Sequence, residues 1–433
     1  MIRKQSGFTL VELMITMVIF VLVIAAASNI FTGILTQFKQ QSKIAESNIQ
    51  GIAGLEILRF DLEQSGYGLP WAVDADGNRQ ADTNWTGLSN YREAVSAGVP
   101  NPANYNDANT ATGTNGNAPR AVVAGNNVVP VGVANCVGAN QALCSDYLVV
   151  KALNVATSAA AIKWSYVSNT GSTTNTYMTA TGAADEDLVS GERVIVVLPS
   201  GGSSQRILLT DAGAFFTTLT AANAPSTGTT ATFPANLKPL NDSYGTNIIY
   251  GVDSNSNLQM PFNRADYYIA TTSVPARCAT GTGVLTKAIL NNNIASYGAA
   301  NGGGSFPGTS RFALLDCVVN MQVTFRLDMN DDGAVGTTAA ADGSTISTSE
   351  AATVATVQAT LADAALLRQR LKEIRVYVVA HEGQTDPSYT GPANITATDA
   401  ELGDVINYDA SAAGTRNFRW KAYQLIVTPY NLR

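Results

Sequence analysis

The sequence predicts an α+β protein: one long N-terminal helix, apolar enough in its first half to cross a membrane, packed on an antiparallel β-sheet head with large loop insertions. Three observations predict it. An uncharged apolar run lies near the N-terminus, helical spacing continues past that run, and short β-branched and aromatic segments follow, bounded by Gly, Asn, Pro and Asp.

Residues 1–7, MIRKQSG, carry Arg3 and Lys4 as their only charges. From Phe8 the chain reads FTLVELMITMVIFVLVIAAASNIFTGILTQF, without a charge between Leu13 and Phe38. As a helix that uncharged stretch of roughly 26 residues is about 39 Å long, enough for a bilayer core of ~30 Å. The positive-inside rule puts Arg3 and Lys4 in the cytoplasm and everything after residue 38 outside.

The helix is expected to continue, because no proline precedes Pro70 and Ile44, Ile52, Leu55, Leu58 and Leu62 form one apolar stripe. Its stop is expected at Gly66, followed by Gly68 and Pro70. One helix from residue 8 to about 65 would be about 87 Å long, useless in a small domain but suited to a spine. Gly33, Gly51 and Gly54 permit either bending or close packing. The chain thus divides into 1–7, 8–66 (with 8–38 the apolar half) and 67–433.

Strands are expected at 194–198, 206–210, 318–327, 374–380 and 423–428, where β-branched and aromatic residues concentrate. A second helix is expected at 351–372: Leu361, Ala365 and Leu366 recur at helical spacing, and Arg368, Arg370 and Lys372 gather at its C-terminal end. The Ala-, Asn-, Thr- and Gly-rich stretches 97–135 and 221–235 read as long surface loops.

Composition removes several functions. With 14% charged residues and a net charge of −7, the chain lacks the basic face that nucleic-acid binding requires. A single histidine, His381, and four scattered cysteines disfavour zinc or iron–sulfur chemistry and histidine-based catalysis. There is no G-x-S-x-G elbow and no phosphate-binding loop, and the Gly302 to Gly304 run reads as plain loop. The sequence reads as a non-enzyme.

Glu12 is the anomaly. A carboxylate in the first turns of an apolar run costs on the order of 2–3 kcal/mol deep in a membrane, so it should have a partner. No cation follows before Lys39. Cleavage between Gly7 and Phe8 would create one, the Phe8 α-amine, and in a stack of parallel helices Glu12 of one subunit would meet that amine of its neighbour.

Gly7 followed by Phe8-Thr9-Leu10-Val11-Glu12-Leu13 resembles the prepilin signature of type IV pilins and of type II secretion pseudopilins. The resemblance implies cleavage after Gly7 by a prepilin peptidase, N-methylation of Phe8, and a docking role for Glu12. The stretches LRFDLEQSGYGLP (58–70), CSDYLVVKA (144–152), GERVIVVLPSG (191–201), DYYIATTSVPARCATGTGVL (266–285), LLDCVVNMQVTFRLDMNDDG (314–333), RLKEIRVYVVAHEG (370–383) and RNFRWKAYQLIVTPYNLR (416–433) are similar, in order, to PilW-like minor pilins. That resemblance implies an inner-membrane subunit with its head outside, later extracted into a pilus by a platform protein and a cytoplasmic ATPase. Its partners would be the major pilin and other minor pilins. A type II secretion minor pseudopilin, distinguished by pilus loss on deletion, and a tip adhesin, distinguished by loss of attachment with normal piliation, are the other functions considered. A secretory signal cut after Ala27 would instead leave Ser28 at the N-terminus, and a plain anchor would leave Met1.

Two further sets of residues are candidates. Asp328-Met329-Asn330-Asp331-Asp332-Gly333 fits the first half of a calcium loop, with Asp328, Asn330 and Asp332 as ligands. Position 12 falls on Ala339, so Asp342 or Glu350 would have to supply the late ligand, and a polar hairpin turn is the preferred reading. Asp74, Asp76, Asn78 and Asp82 form a weaker oxygen cluster. The cysteines suit an oxidising compartment, and Cys136 with Cys144 and Cys278 with Cys317 are the favoured pairs, free buried thiols the alternative.

Overall fold

The computed structural model describes residues 7, 9–74, 80–82, 85–88, 91–94, 100–108, 116–169, 175–177, 186–199, 206–220, 230–231, 237, 246–253, 258–292 and 309–432. One helix, α1 (Leu10–Glu63, 54 residues), is about 81 Å long at 1.5 Å per residue. Gln64 closes it, and Gly66 turns the chain away in a left-handed conformation (φ +79°) that a side chain would strain.

The strands are β1 (Ala72–Val73), β2 (Val122–Val129), β3 (Ser145–Ala152), β4 (Trp164–Asn169), β5 (Asn175–Tyr177), β6 (Arg193–Pro199), β7 (Arg206–Leu208), β8 (Thr217–Thr218), β9 (Thr230–Ala231) and β10 (Thr246–Asp253). They continue with β11 (Asn263–Ala270), β12 (Gly283–Leu290), β13 (Thr309–Leu327), β14 (Thr337–Ala340), β15 (Ile346–Thr348), β16 (Leu371–Glu382), β17 (Asn394–Asp399), β18 (Gly403–Asp409) and β19 (Arg419–Val427). Two short helices, α2 (Val354–Ala362) and α3 (Ala364–Arg370), precede β16.

Among the described residues these strands make two large sheets and a hairpin. The larger sheet runs β15-β14-β13-β12-β11-β3-β2, with β16 on β13 and β19 on β16, every pair antiparallel. The second runs β1-β7-β6-β10-β4-β5-β9 with β8 on β6, and β1–β7 is its parallel pair. The β17–β18 hairpin packs Ile395, Ala397 and Ile406 against Val319, Tyr377 and Val379.

The centre of the larger sheet is covered on both faces, so β3, β11 and β12 are buried along nearly their whole length, polar residues included. α1 covers one face. Leu55, Leu58 and Leu62 enter the core, and Gly51 and Gly54 let the helix backbone lie directly on β13: a Cβ on Gly54 would overlap the Leu314 carbonyl. Close packing therefore decides the role of these two glycines, while Gly33 has open space around it. Ile52 departs from the expected stripe. It is exposed, because the glycine side of the helix turns inward and carries Ile52 out with Ile49, Ile57 and Phe60. Asp61, on the buried side, meets Tyr267 Oη and Lys287 Nζ from β11 and β12, fixing the helix by a buried polar contact as well.

Three expectations are corrected. The region 97–135 is not one surface loop: it contains β2 and the buried residues Tyr105 and Asp107, because Val122-Val123 and Val128-Val129 are β-branched pairs that complete the sheet beside β3. The helix expected over 351–372 breaks at Asp363, whose Oδ1 accepts the Ala365 and Leu366 amides at 2.8 Å each and starts a new helix. Lys372 then belongs to β16 and not to a helix end. Most of 221–235 and all of 302–304 lie outside the described residues.

Candidate assembly interface

Thr9 caps α1. Its Oγ1 accepts the Glu12 amide at 3.3 Å, and Glu12 Oε2 accepts the Thr9 amide at 3.0 Å and its hydroxyl at 3.0 Å. Glu12 thus has a local hydrogen-bond partner that the search for a cation overlooked, and the signal was there: Thr9-x-x-Glu12 is a capping box. Glu12 Oε1 makes no hydrogen bond among the described residues. Gly7 lies exposed just ahead of the cap, and Phe8 lies outside the described residues.

From Leu10 onward the helix surface is apolar on every side and uncovered, with Leu10 76%, Phe20 66% and Phe38 68% exposed. Its hydroxyls are turned inward: Thr16 donates to Leu13 O at 2.9 Å and Thr36 to Thr32 O at 2.9 Å, while Thr32 donates to Asn29 O at 3.0 Å. With these threonines satisfied, Glu12, Ser28, Asn29 and Gln37 are the polar side chains left on a surface that otherwise suits hydrocarbon or the inside of a helix bundle. The first fixed ion pair beyond it, Lys43–Glu46 at 2.7 Å, marks where the surface becomes aqueous.

Residues 2–28 match the prokaryotic N-terminal methylation motif. No curated protein matches the chain. A solved structure, a type IV-like pilin from Thermus thermophilus, is similar over 40% of this chain and 80% of its own, at 13% identity and a TM-score of 0.17. A superposition that loose carries no weight for the fold, which rests on the elements described above. The methylation motif ends at residue 28, so it spans the cap, Glu12 and most of the apolar run but none of the head.

The other candidates lie in the head. Cys136 is bonded to Cys144 and Cys278 to Cys317, with Cα separations of 5.9 and 4.9 Å. The second bond ties the β11–β12 turn to a bulge in β13 where Cys317 takes a positive φ. His381 lies beside it, 1% exposed under Phe418 and Trp420, and its Nε2 accepts the Ala279 amide at 2.8 Å. It packs a core and has no access to a substrate. The two sulfurs near it are spent in the disulfide, so they hold no metal.

Burial pushes the His381 imidazole down to about 4, with the Arg277 charge adding to the effect. A histidine kept neutral in the fold contributes nothing above its unfolded value near 6.5 and becomes a liability as pH falls from there toward 4. At pH 5 the loss is about 2 kcal/mol. Burial pushes the Asp146 carboxyl up to about 8, so the native titration alone is a composite. The expected result is therefore a difference: the native chain loses stability between pH 6.5 and 4 relative to His381→Phe in denaturant melts. Parallel curves would show that the ring titrates normally.

The Asp328 loop closes largely on itself. Asp328 accepts the amides of Asp332 (3.1 Å) and Gly333 (2.8 Å), and Glu350, not Asp342, completes a cluster of three carboxylates with oxygens within 4.8 Å. Asp342 instead accepts the Ser344 amide. Asn330 bonds to Asp332, Lys372 Nζ stands 3.3 Å from Asp328, and Arg370 pairs with Asp331 at 3.4 Å. Two cations already serve this turn, so millimolar calcium is expected to move the melting midpoint by less than about 1 °C. A rise of several degrees would mean that calcium displaces Lys372 and stabilises the native loop. Of the weaker cluster, Asp74 is buried and Asp82 is paired in a bridge to Val73, while Asp76 and Asn78 lie outside the described residues.

Proposed function

We propose that this chain is a PilW-like minor pilin, a structural subunit of a type IV pilus and not an enzyme. The observation that carries the proposal is the continuity of the methylation motif with an uncovered apolar half-helix: a processing signal leads directly into a surface that water cannot solvate. Prepilin peptidase removes residues 1–7, and Phe8 becomes the methylated N-terminus. The inner membrane covers residues 8–38 before assembly, with the head outside. The platform protein and ATPase then extract the helix, and the major and other minor pilins replace lipid around it.

In this reading Thr9 holds Glu12 Oε2 and leaves Oε1 for the Phe8 amine of an adjacent subunit, setting the axial register between helices. A head of some 365 residues, as counted from residue 67, crowds a continuous helical lattice, which supports a rare priming or tip position. Pili sheared from cells should contain this chain beginning at methylated Phe8, far below the amount of the major pilin. Recovery of a chain beginning at Ser28 or Met1, absent from the sheared fraction, would refute it.

A further inference from the structure

The acidic head pairs its cations. Arg120 meets Asp107 at 2.6 Å, Lys163 meets Glu192 at 3.0 Å and Arg277 meets Asp316 at 2.6 Å. Just after Arg368 in the sequence the same holds, with Arg370 on Asp331 and Lys372 on Asp328. Arg368 and Arg206 depart from the pattern. Both guanidinium carbons lie over the Trp71 ring, at 4.4 and 4.8 Å from its centroid, and among the described residues neither forms an ion pair with a carboxylate. The hydrogen bond Arg206 makes goes to a carbonyl, Gly66 O, at 3.2 Å. Asp363, whose charge reaches Arg368, spends Oδ1 on the cap of α3.

The backbone brings the three residues together deliberately. The Trp71 amide donates to Arg206 O at 2.8 Å, where the chain leaving α1 joins β7 in parallel, and α3 lays Arg368 alongside. An indole face attracts a cation but accepts none of its hydrogen bonds in the guanidinium plane. Apart from Gly66 O, the described residues give these two forks of N–H donors no acceptor, and both residues are half-buried. The Trp71 indole N–H is itself buried without an acceptor. Burial pushes the Arg368 guanidinium down to about 10; the Asp363 charge partly offsets this, and the neighbouring Arg206 charge adds to it.

We propose that Arg206 and Arg368, gathered on Trp71, form a binding site for a phosphate-type dianion. Two planar forks match tetrahedral oxyanions by paired N–H···O bonds, and two positive charges, that of Arg368 only partly offset by Asp363, favour a dianion over chloride or acetate. Free phosphate and the phosphate of a monoester such as a lipid headgroup share this chemistry.

The test is calorimetric titration of the full chain in neutral detergent with inorganic phosphate, glycerol 3-phosphate and acetate, at constant ionic strength in chloride. Saturable binding of phosphate or its monoester is expected, with acetate at least tenfold weaker. Tighter binding of free phosphate or of the monoester identifies the source. Arg368→Gln should weaken binding tenfold or more while leaving the phosphate-free melting midpoint and circular dichroism unchanged, and Arg370→Gln should change affinity less than twofold. If Arg368→Gln does not fold, Arg368→Lys, which keeps the charge but loses the fork, should weaken binding at least threefold. No saturable heat, equal affinity for acetate, or equal losses from Arg368→Gln and Arg370→Gln would overturn the site.

Discussion

Glu12→Ala is expected to leave cleavage between Gly7 and Phe8 intact while lowering incorporation into sheared pili at least tenfold. The carboxylate serves two purposes that can be separated. As a capping group it accepts the Thr9 amide, a contribution of about 1 kcal/mol by analogy with other N-caps. As a charge amid an otherwise uncharged apolar run it offers an ion pair to a neighbouring amine, where low dielectric makes the attraction large and an unmatched charge costly. Glu12→Gln retains a capping acceptor but loses the charge, so it should be nearly as defective as alanine. Thr9→Val removes the hydroxyl of the box and should cost incorporation less than threefold. The measurement is the ratio of mature chain in sheared and cell-bound fractions. Normal incorporation of Glu12→Ala would end the ion-pair argument, and a Thr9→Val defect of equal size would assign the residue to capping alone.

Arg264→Met should destabilise the head by about 3–5 kcal/mol, the range for removing one partner from a buried charge network. Arg264 is fully buried on the face of the larger sheet opposite α1. It donates to Asp266 at 2.7 and 2.9 Å, to Glu93 at 2.9 Å, to Asn106 at 2.6 Å and to Pro102 O at 2.9 Å. Lys151, opposite it on β3, holds Glu93 at 2.7 Å and Asp107 at 2.6 Å, and Tyr147 donates to Asp266 at 2.5 Å. Burial opposes the Arg264 charge, and the Asp266 and Glu93 carboxylates more than offset it, holding the guanidinium above its ordinary range. Methionine fills comparable space but leaves Asp266 without its cation and Glu93 with Lys151 alone. Adding Asp266→Asn should recover at least 1 kcal/mol in denaturant melts, because one stranded charge is removed. A loss under 1 kcal/mol for the single variant would show that Lys151 suffices alone.

The long helix and five of the nineteen described strands, β6, β7, β13, β16 and β19, were legible because each follows from a repeating pattern: apolar residues without proline before residue 70, then branched runs between turn residues. Val122 to Val129 was hidden because Gly125, Asn126 and Asn127 interrupt the branched pairs, and the strand forms only because β3 offers a partner. The break at Asp363 was hidden by apolar spacing that continues across it, although Asp is a poor interior residue and a good cap. The charge network left a trace that went unused: Asp146 and Lys151, and Arg264 and Asp266, are charges inside otherwise apolar strands. Such residues need burial partners: Glu93, Pro102, Asn106 and Asp107 supply those of Lys151 and Arg264, Asp146 accepts the Asn127 and Val323 amides, and Asp266 accepts from Arg264 and Tyr147. For the candidate interface, Glu12 was legible from cost alone, and Thr9 would have been legible from its spacing. The register of β13 depends on contacts far apart in sequence. Its Met321 and Val323 amides, between the stretches paired with β12 and β14, are bound by Ser145 Oγ at 3.1 Å and Asp146 Oδ2 at 2.7 Å. No local pattern encodes that.

The Cys278–Cys317 bond has a mechanical consequence. In the proposed filament, tension would load the subunit through its spine and reach the head where Gly51, Gly54 and Leu55 rest on β13 and where the Tyr430 amide donates to Glu63 O at 3.0 Å. Without the crosslink, parting β12 from β13 would release the chain between the two cysteines, a sequence separation of 39 and about 130 Å of slack at ~3.4 Å each. With it, that length stays locked however hard the spine is pulled. The bond stands in the sheet that receives the load, so oxidation would set how far a stretched subunit can lengthen before its neighbours must carry the force.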